Sequence, residues 1–205
     1  MSLVNLTKAS QSEEFTHNFD EYGNYLYFER NDKDKPSCYE NILGIAKKRI
    51  IIIDPHLSIN EDPALFEKVK AEKVDVKIMA VCKKGENEAY AKSYFDAIQD
   101  KLKKNLNEYD FSFCCFKQKP YKKIWINNFS YEEEPIYIWH DRYLLIDNRA
   151  FLIGASMNNQ VSGEKSFGIF EVKDSGQMVK FIDDFFTNYE GLLVHRYNGW
   201  HFHHK

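Results

Sequence analysis

Short, unbroken apolar runs alternate along this chain with stretches whose apolar residues recur every three or four positions. Arg49 to Asp54, RIIIID, is a continuous apolar run ending in Asp-Pro, which predicts a central strand covered on both faces. Val74 to Val81 and Phe111 to Phe116 predict two more strands, and Ser166 to Val172 a further one. Asn24 to Arg30 alternates weakly and predicts an edge strand. Between the strands lie helical patterns. Ser37-Cys38-Tyr39-Glu40 has the form of a capping box and opens a helix to about Lys48, with Cys38, Ile42, Ile45 and Ala46 on one face. Asp62-Pro63 opens a short helix with Leu65, Phe66 and Val69 inside. Asn87 caps a longer one with Tyr90, Tyr94, Ile98 and Leu102 inside. Ser175 caps a last helix with Met178, Phe181, Ile182, Phe185, Phe186 and Tyr189 on its inner side and Gly191 as its stop. Residues 117–134 look like a linker-like insertion, and Tyr137 to Asn158 like two strands joined by a tight turn at Asp147-Asn148-Arg149.

Composition narrows the picture modestly. The chain has 205 residues, 43% of them hydrophobic and 29% charged, which suits one globular core. A net charge of −3 argues against a sequence-independent nucleic-acid coat but leaves room for a local basic site. No apolar run reaches membrane-span length, and no basic segment with an apolar core opens the chain, so a cytoplasmic location is expected. Cys38, Cys82, Cys114 and Cys115 show no Cys-x-x-Cys spacing. Cys114 and Cys115 should point to opposite faces of one strand, and reduced core thiols are the favoured reading. His195, His201, His203 and His204 crowd the end of the chain. No cysteine or carboxylate pattern supports a metal there, so a disordered or tag-like end is expected and no metal or cofactor is assigned.

The candidate chemistry lies in the predicted hairpin. His140 and Arg142, two apart on one strand, share a face with Ile138, Leu144 and Ile146, while Asp147 takes the opposite one. Gly154 permits a sharp exit from the second strand, and Ser156 and Asn158 supply hydrogen-bonding groups. Asp54 and His56 end the first central strand, where open α/β sheets hold ligands; a capped, hydrogen-bonded aspartate is the favoured reading there. Lys117, Lys119, Lys122 and Lys123 are interleaved with Tyr121, Trp125 and Phe129, a composition suited to backbone phosphates and stacked bases. The same lysines could instead form a solvated loop facing Glu132, Glu133 and Glu134.

The hairpin resembles the signature of the phospholipase D superfamily, His-x-Lys, four residues, Asp, six residues, then Gly-Ser or Gly-Gly and an Asn. His140, Asp147 and Gly154 stand at the family spacing. Arg142 occupies the lysine position, and Ser156 and Asn158 fall one place later than in the usual Gly-Ser-x-Asn. The variant looks like a bacterial branch of phospholipase D-like proteins. The resemblance implies an α/β sandwich, a mixed central sheet flanked by helices, with one half-domain per chain over residues 36–195. Residues 1–35 would then be an N-terminal extension with the edge strand, and 196–205 a histidine-rich tail.

It also implies metal-independent phosphodiester hydrolysis, on nucleic acid given the basic-aromatic stretch. A histidine attacks phosphorus to form a phosphohistidine, and a second motif's histidine protonates the leaving oxygen. His140 would be nucleophile or acid, Arg142 the phosphate clamp, Ser156 and Asn158 donors, and Asp147 and Gly154 structural. With one motif per chain, the second histidine would come from a two-fold homodimer through the motif face. In single-motif nucleases a glutamate after the asparagine orients the histidine; here the nearest acids are Glu164 and Glu171. The alternative is a non-catalytic module binding phosphate groups of nucleic acid, phosphoinositide or a partner protein, in a bacterial defence setting.

Overall fold

The computed structural model describes residues 25–28, 35–55, 57, 66–82, 87–117, 122–127, 130–134, 141–154, 167–172, 175–192 and 199–204. The predicted helix start at Asp62-Pro63 lies outside them, as do His56 and His195. In chain order the elements are β1 (Tyr25–Phe28), α1 (Lys35–Gly44), β2 (Arg49–Ile53), β3 (Lys73–Cys82), α2 (Glu88–Asn105), β4 (Glu108–Lys117), β5 (Lys122–Asn127) and β6 (Ser130–Glu134). They continue with β7 (Tyr143–Ile146), β8 (Arg149–Ile153), β9 (Phe167–Glu171), α3 (Gly176–Leu192) and β10 (Trp200–His204).

Eight strands form one mixed sheet in the order β1-β9-β8-β7-β2-β3-β4-β10. β2, β3 and β4 run parallel, and every other neighbouring pair in the sheet is antiparallel. The period of two in the central strands divides their side chains between two cores. Ile50, Ile52, Val76, Ile78, Phe111, Phe113 and Leu144 pack with Tyr39, Ile42 and Leu43 of α1 and with Ala91, Tyr94, Phe95, Ile98 and Leu102 of α2. Ile51, Ile53, Met79, Cys114, Phe116, Tyr143 and Leu145 pack with Ile182 and Phe186 of α3. A strand with helices on both faces has no place for polar side chains, which is why β2 reads as four consecutive isoleucines.

Several sequence expectations change. α1 begins at Lys35, two residues ahead of the proposed capping serine, with Pro36 in a first turn that needs no amide donor there. It ends at Gly44, and Ala46 N–H donates to Leu43 O at 3.1 Å in a tightened final turn. Asn87 does cap α2, its side chain accepting from Tyr90 N–H at 3.1 Å. Ser175 precedes α3 and its carbonyl accepts from Val179 N–H, but its hydroxyl donates to Asn148 O at 2.7 Å, tying the helix start to the β7–β8 turn. Gly191 lies within the last turn of α3 rather than ending it. Phe181, expected inside, is 43% exposed and meets Tyr143 edge-on, with ring centroids 5.5 Å apart.

The stretch expected to be a linker carries a two-stranded ribbon, β5 with β6, whose register sets Lys122 opposite Glu134 and Lys123 opposite Glu133. The histidine-rich end, expected to be disordered or tag-like, forms β10, whose residues 200–204 pair with residues 111–115 of β4. Its Phe202 packs against Phe95 of α2, and that apolar contact gives the strand a reason to dock. Cys114 and Cys115 do face opposite cores, but Cys115 is bound in a disulfide, which corrects the expectation of reduced thiols. No helix among the described residues is long and apolar enough to cross a membrane.

A row of charges crosses one face at the Arg49 end of the sheet, where the register aligns Arg49, Asp75 and Asp110. Burial raises the Asp75 carboxyl above its ordinary value, Asp110 adds to the rise, and Lys77 and Arg49 oppose it. A raised acid favours its protonated form in the folded state, so its contribution to stability is lost as pH climbs above the ordinary carboxylate value of 3.8. Asp75→Asn, which cannot ionise, should therefore gain in thermal midpoint relative to wild type between pH 4 and pH 7. A relative loss over that interval would mean that the attraction of Lys77 and Arg49 dominates.

Candidate active site

The β7–β8 hairpin is polar only at its two ends. Its four β7 residues, Tyr143–Ile146, are all buried, so charge is confined to Asp141 and Arg142 before the strand and Asp147 after it. The turn takes two residues, Asp147 and Asn148, and Asp147 has a positive φ of 54°, a region aspartate tolerates better than most residues. Its carboxylate turns back onto the approach to β2. Oδ1 accepts from the amides of Lys48 at 2.8 Å and Arg49 at 3.1 Å, and Oδ2 from that of Lys47 at 3.1 Å. The same link is closed from the other side: Asp147 N–H donates to Arg49 O at 3.0 Å, and Arg49 Nε donates to Asp147 O at 2.8 Å. Arg49 Nη1 then reaches the Asp183 carboxylate of α3 at 3.0 Å. Turn, central strand and helix are thus clamped together at this end.

Arg142 lies at the opposite end. Its carbonyl accepts from Ile153 N–H at 3.1 Å, so it still belongs to the ladder although it precedes β7. Tyr143 stands across from Ile53, and one further step in that register brings Arg142 across from Asp54 on the same face. Arg142 Nε is 3.6 Å from Asp54 Oδ1, an ion-pair distance rather than a hydrogen bond. Asp54 is only 1% exposed and the Arg142 side chain 19%. The backbone of Asp54 is held on both sides, its N–H donating to Met79 O at 2.9 Å and its O accepting from Leu57 N–H at 3.2 Å. Asp141 Oδ2 accepts from the Tyr143 hydroxyl at 3.1 Å. Burial, and the Asp141 carboxylate beside it, push the Tyr143 phenol up to about 12, so it remains a donor at neutral pH.

Gly154 follows β8 at this same end. Its N–H donates to Gly168 O at 2.8 Å, and a Cβ built on it would stand 3.1 Å from that oxygen. The glycine therefore allows close approach of β8 and β9 where the chain leaves the sheet.

Of the residues singled out in the sequence, Arg142 and Gly154 converge at one end of the sheet and Asp147 lies at the other. His140, Ser156, Asn158 and Lys119 lie outside the described residues. Lys117 closes β4, and Lys122 and Lys123 open β5. Asp54, read as a capped, hydrogen-bonded aspartate, also stands at ion-pair distance from Arg142. The period of two in RIIIID, continued one position, sets Asp54 on the Ile52 face and was the signal that could have found it. Glu171 does not serve this end: Arg149 holds it in a bidentate pair, at 2.6 and 2.8 Å, near the turn. Glu164 lies outside the described residues. Among the described residues, no group of three or more histidine, cysteine or acidic side chains could hold a metal ion.

No protein-family model and no curated protein matches the chain. Solved structures do. Phosphatidylserine synthase of Haemophilus influenzae aligns at 13% identity and a TM-score of 0.50, over 87% of this chain and 42% of that one, so the chain spans less than half of that protein's length. NucT from Helicobacter pylori aligns at 12% identity and 0.48, over 80% and 93% of the two chains. Nuc from Salmonella typhimurium, a phospholipase D family member, aligns at 11% and 0.44, over 78% and 90%. The fold is phospholipase D-like, an α/β sandwich with a mixed central sheet.

The clamp at the turn gives a direct test. Asp147→Ala removes the acceptor of three backbone amides and should cost about 2 kcal/mol, from charge-assisted hydrogen bonds of ordinary strength. Asp147→Asn keeps one acceptor oxygen and should cost less. Urea denaturation reads both, and an alanine variant with an unchanged midpoint would mean that the carboxylate does not hold the turn to β2.

Proposed function

We propose that this protein is a phosphodiesterase of the phospholipase D type, acting on nucleic acid without a metal through a phosphohistidine at His140. Arg142 carries the reading. A guanidinium held at the rim of a phospholipase D-like sheet, two positions after a histidine at the family spacing, suits a phosphate clamp. A nucleophilic imidazole must be neutral, and the charge that develops on the phosphate oxygens needs a fixed cation beside it. His140 is the nucleophile or acid, and Ser156 and Asn158 donate hydrogen bonds to the phosphate.

Charge counting supports a second source of cations. Arg142, Asp54 and Asp141 together carry one positive and two negative formal charges, so Arg142 alone does not make this end attractive to an anion. Lys117, Lys119, Lys122 and Lys123 are one candidate source, which favours a polyanion such as nucleic acid. A second copy of the chain is the other. A two-fold homodimer through the motif face would bring a second His140 and a second Arg142 to the same phosphate. We assign residues 36–195 to the phospholipase D-like domain, with β10 as an addition to its sheet.

The second reading, a non-catalytic module that binds phosphate groups, is favoured by the neutralisation of Arg142 by Asp54. Hydrolysis of bis-p-nitrophenyl phosphate and of single- and double-stranded DNA, in EDTA, separates the two. The expected outcome is turnover that survives EDTA and falls roughly 10³-fold or more in His140→Ala. A dimeric, folded wild type that binds these oligonucleotides but turns over none of them would establish the binding module instead.

A further inference from the structure

A carboxylate at the end of a strand of isoleucines needs a reason to be there. Asp54 is all but completely buried, and its backbone is pinned to β3 on one side and to the following turn on the other. The cation it meets, Arg142, approaches with its Nε edge, 3.6 Å from Oδ1. That Nε is itself buried and has no hydrogen-bond partner among the described residues. A guanidinium offers two edges for bidentate binding, one made by Nε with a terminal nitrogen and one made by the two terminal nitrogens. We infer that Asp54 is a positioning residue for Arg142: its buried carboxylate draws the Nε side of the guanidinium toward it at ion-pair distance and leaves the terminal nitrogens to bind a phosphodiester. The inference rests on the phosphate-site reading above and adds to it a residue outside the hairpin motif.

The arrangement accounts for an arginine where the family has lysine. An ammonium is a point charge with no planar edge to hold, so a neighbouring carboxylate would compete with phosphate for the same three protons. A guanidinium can engage both at once, on different edges. One step beyond the Ile53–Tyr143 pair, the register sets both charges on one face. Binding by one edge with the net charge already neutralised suits a singly charged diester better than a doubly charged monoester.

Two measurements on the full chain test this, with Asp54→Asn and Asp54→Glu. The first is independent of activity: the ¹H–¹⁵N signal of Arg142 Nε–H, assigned by its disappearance in Arg142→Lys. It should be observable in wild type and exchange with solvent about tenfold faster in Asp54→Asn, with partial recovery in Asp54→Glu. The second is steady-state hydrolysis of bis-p-nitrophenyl phosphate. Asp54→Asn should raise KM about tenfold and lower kcat less, because a misaimed clamp weakens binding of the diester first. An Nε–H signal and a KM that both match wild type in Asp54→Asn would overturn the inference. A wild type that hydrolyses no diester counts against the phosphate-site reading, and the Nε–H exchange then decides alone whether Asp54 positions Arg142. If Asp54→Asn fails to fold, Asp54→Glu carries both measurements, with a displaced Nε–H signal expected and an unchanged one contrary.

Discussion

The carboxylate of Asp147, set on three consecutive backbone amides at the start of β2, is the contact on which the candidate site depends. It fixes the register of β7 against β2 at the turn end. The ladder then carries that register four residues along, through Ile50–Ile146, Ile51–Leu145, Ile52–Leu144 and Ile53–Tyr143, to the far end. Because side chains alternate with a period of two, a slip of one residue would turn Arg142 away from Asp54 and send Leu144 and Leu145 to the wrong cores. The residue the family resemblance marks as structural therefore acts at a distance on the one it marks as functional. Both faces of the hairpin are apolar, so nothing polar in between could hold the register instead.

The same geometry explains why a charged pair can be kept at the other end. A buried ion pair is often no better for stability than apolar residues of the same size, because each ion is costly to remove from water. Asp54 and Arg142 sit where β2 ends and β7 has not yet begun, at the rim rather than in the middle of either core. The arginine retains 19% exposure, enough to face a ligand, while the aspartate retains almost none. Charge is confined to the rim, and the apolar strand between the two polar ends supplies the rigidity.

Much of the fold was legible in the sequence because central strands and long helices obey strong periodicities. RIIIID, the Tyr94–Ile98–Leu102 stripe and the two-faced Cys114-Cys115 pair are all satisfied by one arrangement of layers. What escaped was set by pairing across long sequence distances. Nothing local to Trp200–His204 says that it will add to β4, or to Lys122–Asn127 that it will pair with Ser130–Glu134. Ser37 failed as a cap because Pro36 could already enter the first turn. At the site, Arg142, Asp147 and Gly154 were readable from spacing in a single hairpin. The period of two in RIIIID sets Asp54 on the Ile52 face, but its pairing with Arg142, 88 positions away, comes only from the sheet.

The proposed chemistry depends on a phosphate group binding at the Arg142 end of the sheet. A crystal structure of the protein grown with orthovanadate or tungstate tests it most directly. The anion is expected on the terminal nitrogens of Arg142 and within reach of His140, with Asp54 still on the Nε side. An anion bound by lysines elsewhere on the chain, with Arg142 making no contact to it, would contradict the claim.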